Sequence, residues 1–261
     1  MFKLFFKISL ILISIIFTTY SISAYASCSK SLIISYNDWV PYTYTDNDGE
    51  IVGLDAEIID LVMKNAGCDY SFIKIPPKRA FLELEKGRID MMIGASITEG
   101  RKKYGKFTQS YREEVLGAIV RKGESAQYPY KDLQSMIGQD VMIGAINGSW
   151  YGPEYGQLQK DEEFQKQLSM VNSNRQRIGM LVKNRIDMVI GDPVGLINSA
   201  RENNQEENVE FHPINLYQGY VHFLLGHVST SQNDLDLINL SLEVVKKSGA
   251  LQEIIDRYLK N

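Results

Sequence analysis

Two stretches of this 261-residue chain decide its fold: LEKGRIDMMIGA at residues 84–95 and LVKNRIDMVIGD at residues 181–192, identical at eight of twelve positions. Each reads as a helix end, a left-handed turn at Gly87 or Asn184, and a strand too apolar to be exposed on either face. A unit that occurs twice about 97 residues apart predicts two lobes of similar build. A weaker echo agrees: LIISYNDW and VMIGAINGSW end on Trp39 and Trp150, the only two tryptophans. Each tryptophan thus follows the first strand of its lobe.

Outward from the first copy, LIISY predicts a strand. An aromatic loop follows, then a helix from near Asp55 with Ile58, Leu61, Val62 and Ala66 on its apolar stripe and Gly67 as its left-handed stop. SFIKI reads as a second strand, and PPKRAFLELEK as a helix opened by proline and closed by Gly87. Strands alternating with helices predict an α/β fold with a mostly parallel sheet in each lobe and helices on both faces. Near the C-terminus, YVHFLLG reads as a strand. It is followed by a helix through Leu237, Leu240 and Val244 and another with Leu251, Ile254, Ile255, Tyr258 and Leu259 on one face. This tail is expected to return to the first lobe, with chain crossings near residues 117–125 and 214–220 acting as a hinge. The boundaries are then 27–119 plus 220–261 for lobe 1 and 120–219 for lobe 2. RENNQEENVE reads as a solvated loop.

Residues 1–26 carry Lys3 and Lys7, an apolar run from Ile8 to Phe17, and Ala24-Tyr25-Ala26, the pattern of a cleaved secretory signal peptide. The apolar run is shorter than the roughly 20 residues of a membrane span. A soluble, exported protein is therefore expected, beginning near Ser27. Losing two lysines from 28 basic residues leaves 26 against 32 acidic ones, a net charge of −6. That balance argues against phosphate-backbone binding, so no nucleic-acid partner is expected. Cys28 and Cys68 would both meet an oxidising compartment, and a β-α-β unit brings the starts of their strands side by side, which favours a disulfide. The competing reading is acylation of Cys28, although Tyr25-Ala26-Ser27 is not the Leu-led box of small residues that acylation wants.

Ligands of parallel sheets bind beyond the carboxyl ends of the strands. Here those positions are residues 39–44, 94–101, 147–151 and Asp192. They supply aromatic walls, hydroxyls, one guanidinium and one carboxylate, a set complementary to a small zwitterion, of which an amino acid is the simplest. Asp192 also suits a helix cap before Pro193. Asp55 and Glu57 suit the positive end of a helix dipole. Asp90 and Asp187, present in both copies of the repeat, read as architecture. His212, His222 and His227 fit no metal spacing, and no GxSxG elbow or phosphate-binding loop occurs. No metal, cofactor or catalytic residue is expected.

The stretches GLDAEIIDLV (53–62), SITEGRKKYGKFTQSY (96–111) and SGALQEIIDRYL (248–259) resemble the bacterial extracellular solute-binding proteins of family 3, the amino-acid-binding components of ATP-binding-cassette (ABC) importers. The resemblance spans essentially all of the chain after residue 26. It implies the two-lobed periplasmic-binding-protein fold of type II, closing over ligand about two hinge crossings. It also implies a monomer that delivers an amino acid to an inner-membrane permease and has no chemistry of its own. By position, Arg101 matches the arginine that pairs with the ligand carboxylate, Asp192 the aspartate that takes the ammonium group, and Trp39 the aromatic wall. Ser96 and Thr98 match the hydroxyl positions beside the carboxylate, with Gly94 and Tyr42 in the flanking loops. Gly148, Ser149 and Trp150 match the second-lobe loop. Relatives on the fold include a cyclohexadienyl dehydratase, which would need a general acid in the cleft, with Glu57 and Glu99 as the nearest candidates. A sensor that docks to a receptor is the third possibility.

Overall fold

In the computed structural model, which describes residues 27–259, eight strands form one sheet, in the spatial order 70–74, 32–36, 91–95, 209–226, 105–121, 188–191, 143–146 and 168–171. The first half contributes β1 (Leu32–Tyr36), β4 (Tyr70–Lys74) and β5 (Met91–Ala95), all parallel; a short antiparallel pair, β2 (Tyr44–Thr45) and β3 (Ile51–Val52), lies apart. The second half repeats the scheme with β7 (Ile143–Ile146), β8 (Leu168–Val171) and β9 (Met188–Gly191). Both copies of the repeat therefore end on a strand beside the first strand of their half. The left-handed turns occur where the sequence places them, with φ 67° at Gly87 and 55° at Asn184.

The two aspartates of the repeat do one job. Asp90 accepts from the Ile33 amide at 2.8 Å, and Asp187 accepts from the Met142 amide at 2.8 Å. Their own amides donate back to the carbonyls of Ile33 and Met142, so each aspartate ties its strand to the first strand of its half.

Two long antiparallel strands join the halves: β6 (Gly105–Arg121) and β10 (Val209–Gly226). β10 pairs with β5 from His222 onward, and β6 pairs with β9 from Gly117 onward. Between those registers the strands have only each other as sheet neighbours. The hydrophobic clusters respect this division. Two are built from residues up to Tyr111 and from Val221 onward, and two from residues between Ala118 and Ile214.

Helix α1 (Leu54–Ala66) ends on Gly67 at φ 66° and buries Leu54, Ile58, Ile59, Val62, Met63 and Ala66. α2 (Pro77–Glu85) covers the other side of the same half, and the short α3 (Glu99–Lys102) follows β5. In the second half come α4 (Pro153–Leu158), α5 (Glu162–Lys166), α6 (Asn174–Val182) and α7 (Pro193–Glu202). The C-terminal α8 (Gln232–Lys247) and α9 (Ala250–Leu259) return to pack on α1. One expectation fails here. Leu240 and Val244 are exposed, and α8 buries Leu235, Ile238, Leu242 and Val245 instead. Both sets have helical spacing, so periodicity alone does not choose; the buried set also carries Ser241, whose hydroxyl donates to the Val62 carbonyl at 2.7 Å. A capping box of Ser231 and Asp234 starts α8, and Ser29 also donates to Asp234, fastening the chain ahead of β1 to this helix.

Cys28 is bonded to Cys68 across the start of the β1–β4 pair, with Cα atoms 4.9 Å apart. The bond occupies the sulfur that acylation would require. Among the described residues no helix is long and apolar enough to cross a membrane. The signal-peptide reading concerns residues outside the described ones.

Candidate functional site

A cavity of about 160 Å³ opens between the halves at the carboxyl ends of β1, β5, β7 and β9. From the first half it is lined by Trp39 after β1, by Gly94 and Ser96 at the end of β5, by Arg101 on α3, and by Phe81 on α2. The second half contributes Gly148, Ser149, Trp150 and Tyr151 after β7, Asp192 after β9, and Asn174 and Arg177 on α6. Glu114 enters from β6 between them.

Local sequence explains this placement. Gly94 has φ 65°, and a Cβ there would lie 3.2 Å from Trp39 Cζ3, so only glycine leaves the indole its place. Thr98 caps α3 by accepting from the Arg101 amide at 3.1 Å, which sets where Arg101 leaves the helix. Arg101 then lies 5.1 Å from the centre of the Phe81 ring and donates to the Ser96 carbonyl at 3.0 Å. Its second Nη reaches the Gly148 carbonyl of the other half at 3.4 Å. Burial lowers the Arg101 pKa to about 10, which still leaves it cationic at neutral pH.

Asp192 caps α7 through Oδ1, which accepts from the Gly195 amide at 2.7 Å; Oδ2 accepts from the Tyr42 hydroxyl at 2.8 Å. The cap and the cavity position therefore coexist. Burial raises the Asp192 pKa, against the Gly195 amide and the Arg112 charge. Tyr42 belongs to the first half, so this hydrogen bond also spans the cleft. Gly195 completes the contact: a Cβ there would lie 2.5 Å from Trp39 Nε1.

Of the residues singled out from sequence, Arg101, Asp192, Trp39, Ser96, Ser149, Trp150 and Gly94 line one cavity. Thr98 and Tyr42 do not. Thr98 holds α3, and Tyr42 is buried behind Asp192 with its ring 4.4 Å from that of Trp39. Asp55, expected at a helix start, is fully buried there in a two-pronged pair with Arg112, at 2.7 and 3.0 Å. Arg112 also packs over Tyr42, 4.1 Å from the ring centre. Glu57 hydrogen-bonds Tyr258, and Glu99 pairs with Lys102 at 2.5 Å on the surface; neither lines the cavity. Among the described residues no cluster of His, Cys, Asp and Glu is placed to hold a metal ion.

Sequence reading missed three charged residues. Arg112 and Glu114 alternate with Leu116 on the buried face of β6, while Glu113 and Val115 face out. Arg177 lies with Asn174, Ile178 and Leu181 on the buried face of α6. The available signal was a charge at an inward position of a strand or helix period. Glu114 accepts from the Ser96 hydroxyl at 2.8 Å, and burial raises its pKa. Arg177 is held by Asn174 Oδ1, Tyr151 and the Ile190 carbonyl, and burial lowers its pKa.

Comparison with known proteins bears on the family and the fold. The arginine-binding periplasmic protein of Mannheimia haemolytica is 25% identical over 236 residues, covering 88% of this chain and 92% of that one. An ancestral arginine-binding protein solved with arginine superposes with a TM-score of 0.75 at 23% identity, covering 88% of this chain and 98% of the other. The arginine-, lysine-, histidine-binding protein ArtJ of Geobacillus stearothermophilus gives a TM-score of 0.72 at 25% identity, covering 89% and 96%. The model of the bacterial extracellular solute-binding proteins, family 3, matches residues 32–261, and the chain belongs to that family.

Proposed function

We propose that this protein captures an amino acid in the periplasm by closing its two lobes and delivers it to an ABC-type permease. Lobe 1 is 27–119 plus 220–261, and lobe 2 is 120–219. The single observation that carries this reading is that Arg101 and Asp192, of opposite charge and from opposite halves, line one cavity. The guanidinium takes the ligand carboxylate beside Ser96, and the Asp192 carboxylate takes the ammonium group. Trp39 and Trp150 form the walls for the side chain. Because the two charges come from different lobes, ligand contacts both only when the lobes are together, and that difference in contact drives closure. Tyr42 and Thr98 act as positioning residues. The similarity to arginine and histidine binders supports an amino-acid ligand.

A thermal-shift screen of the ligand-stripped protein against the amino acids tests the reading. At least one amino acid is expected to raise Tm, and Arg101→Ala and Asp192→Ala to weaken its binding by well over tenfold, since removing one partner of a desolvated charge pair costs about 2–5 kcal/mol. No shift with any amino acid would refute the reading. One observation favours the enzymatic alternative: Glu114, not Glu57 or Glu99, is a buried carboxyl with a raised pKa in the cleft. Turnover of a cyclohexadienyl acid, abolished by Glu114→Gln, would establish that alternative.

A further inference from the structure

We propose that Glu114 is a ligand-binding residue that holds the ammonium group together with Asp192, so that the cleft reads an amine with two carboxylates and rejects a hydroxyl in its place. This rests on the amino-acid reading above and brings a residue of a crossing strand to the head of the ligand.

Strand register puts Glu114 at that head. Arg112, Glu114 and Leu116 are successive inward positions of β6. β6 pairs Gly117 with Gly191, so Asp192 leaves β9 level with Leu116, one inward position from Glu114. On its other flank Glu114 Oε2 accepts from the hydroxyl of Ser96, the residue after β5, at 2.8 Å. Glu114 thus lies on the cleft floor between Ser96 of the first half and Asp192 of the second, and it lines the cavity with both.

The charges around it leave room for one more cation. Arg112 and Arg101 favour the ionised carboxylate and Asp192 opposes it, while the Tyr217 phenol on β10 is near enough to feel its charge. Arg112 is already matched by Asp55 in a buried two-pronged pair. Arg101 is the guanidinium assigned to the ligand carboxylate. Once that carboxylate takes its share of Arg101, Glu114 and Asp192 face the same enclosed space, and the ligand ammonium is the cation that answers them.

Hydrogen-bond capacity agrees. A desolvated ammonium has three N–H donors to place. Each Asp192 oxygen already accepts one hydrogen bond, from the Gly195 amide and the Tyr42 hydroxyl, and the Ser96 carbonyl accepts from Arg101. Glu114 is 5% exposed, and among the described residues its Oε1 has no hydrogen bond. Asp192 sets the place of the ammonium when the lobes close, and Glu114 adds to the hold there. The preference for an amine is therefore expected to fall with Glu114 and to vanish with Asp192.

Calorimetric titration of the ligand-stripped wild type and Glu114→Gln tests this. Glutamine is nearly isosteric and keeps an acceptor for Ser96. The probes are L-arginine, L-glutamate, L-glutamine, L-leucine and L-phenylalanine, and the tightest of them is titrated beside its α-hydroxy acid and its α-methyl ester. Glu114→Gln is expected to lower the affinity ratio of amino acid to hydroxy acid by about tenfold or more, the loss of a hydrogen bond to a charged group. The ratio of amino acid to ester should stay within about twofold, because Arg101 still reads the carboxylate. A residue acting only through Ser96 or Arg101 would move the ester ratio instead. Circular dichroism checks the fold; should Glu114→Gln not fold, Glu114→Asp, which withdraws the carboxylate by one methylene, gives the same comparison. An unchanged amino-to-hydroxy ratio, or an equal fall in both ratios, overturns the proposal and leaves the amino-acid reading intact. If none of the five amino acids binds, the amino-acid reading fails and the proposal with it.

Discussion

At the scale of single residues, burial gives the cleft its chemistry. It holds the Asp192 and Glu114 carboxyls above the usual carboxylate range, so in the ligand-free protein each opposes folding once ionised. The sign follows from linkage. A carboxyl whose folded pKa is raised contributes stability fully below its unfolded value, and that contribution is lost as the pH rises through the folded value. Glu114→Gln keeps the acceptor for Ser96 and removes the charge. The variant is therefore expected to raise the Tm of the ligand-free protein at pH 7, with the gain shrinking as the pH falls toward the ordinary glutamate value of 4.5 and gone below it. Thermal melts between pH 3.5 and pH 7.5 check this; a variant less stable than wild type at pH 7 would contradict it. The residues missed in the sequence share one feature. Arg112, Glu114 and Arg177 occupy inward positions of a strand or helix period, where a pattern of apolar residues passes over a charge. Arg101 and Asp192 were legible because they follow strands, where sheet geometry places ligands.

At the scale of elements, the turns and caps aim the side chains. α7 begins on Asp192, and its third residue, Gly195, meets the Trp39 indole of the other half. Alanine favours a helix over glycine by about 1 kcal/mol, so Gly195→Ala should not weaken α7 itself. Its methyl group would collide with Trp39 only when the halves are together. The expected result is a ligand-free Tm at least equal to wild type, with ligand affinity about tenfold lower, measured by melting and titration of the same preparation. A simple loss of stability without a change in affinity would count against this contact as a feature of the closed state. The repeat made both β5 and β9 legible, because its RID core marks a helix stop and a buried strand in either half. α8 was legible as a helix but not in its facing. Two stripes of helical spacing coexist there, and only packing against α1 and β6 selects Leu235, Ile238, Leu242 and Val245.

At the scale of the whole molecule, two strands carry the sheet continuity between the halves, and among the described residues no hydrophobic cluster bridges them. Polar contacts close the cleft: Tyr42 to Asp192 and Arg101 to Gly148. The proposed closure would then rest on these polar contacts and on the β6–β10 pair. The disulfide acts within the first half alone, closing a loop of 40 residues that contains α1. Replacing both cysteines with serine is expected to cost about 2–4 kcal/mol in denaturant unfolding. Binding at temperatures well below the melt should persist, because neither sulfur lines the cavity. The long β6–β10 pair was the least legible part of the fold. The sequence reading recognised a strand only in the last seven residues of β10, because β6 alternates charged and apolar residues on its buried face.

If both charges of one zwitterion are read across the cleft, ligand analogues that lack either charge bind weakly. Take the amino acid that raises Tm most, and titrate the ligand-stripped protein with it, with its α-hydroxy acid, and with its methyl ester. Removing the ammonium group or the carboxylate charge is in each case expected to weaken binding more than tenfold. Asp192→Ala is expected to abolish the first difference and Arg101→Ala the second. An α-hydroxy acid or ester that binds as tightly as the parent would contradict this reading.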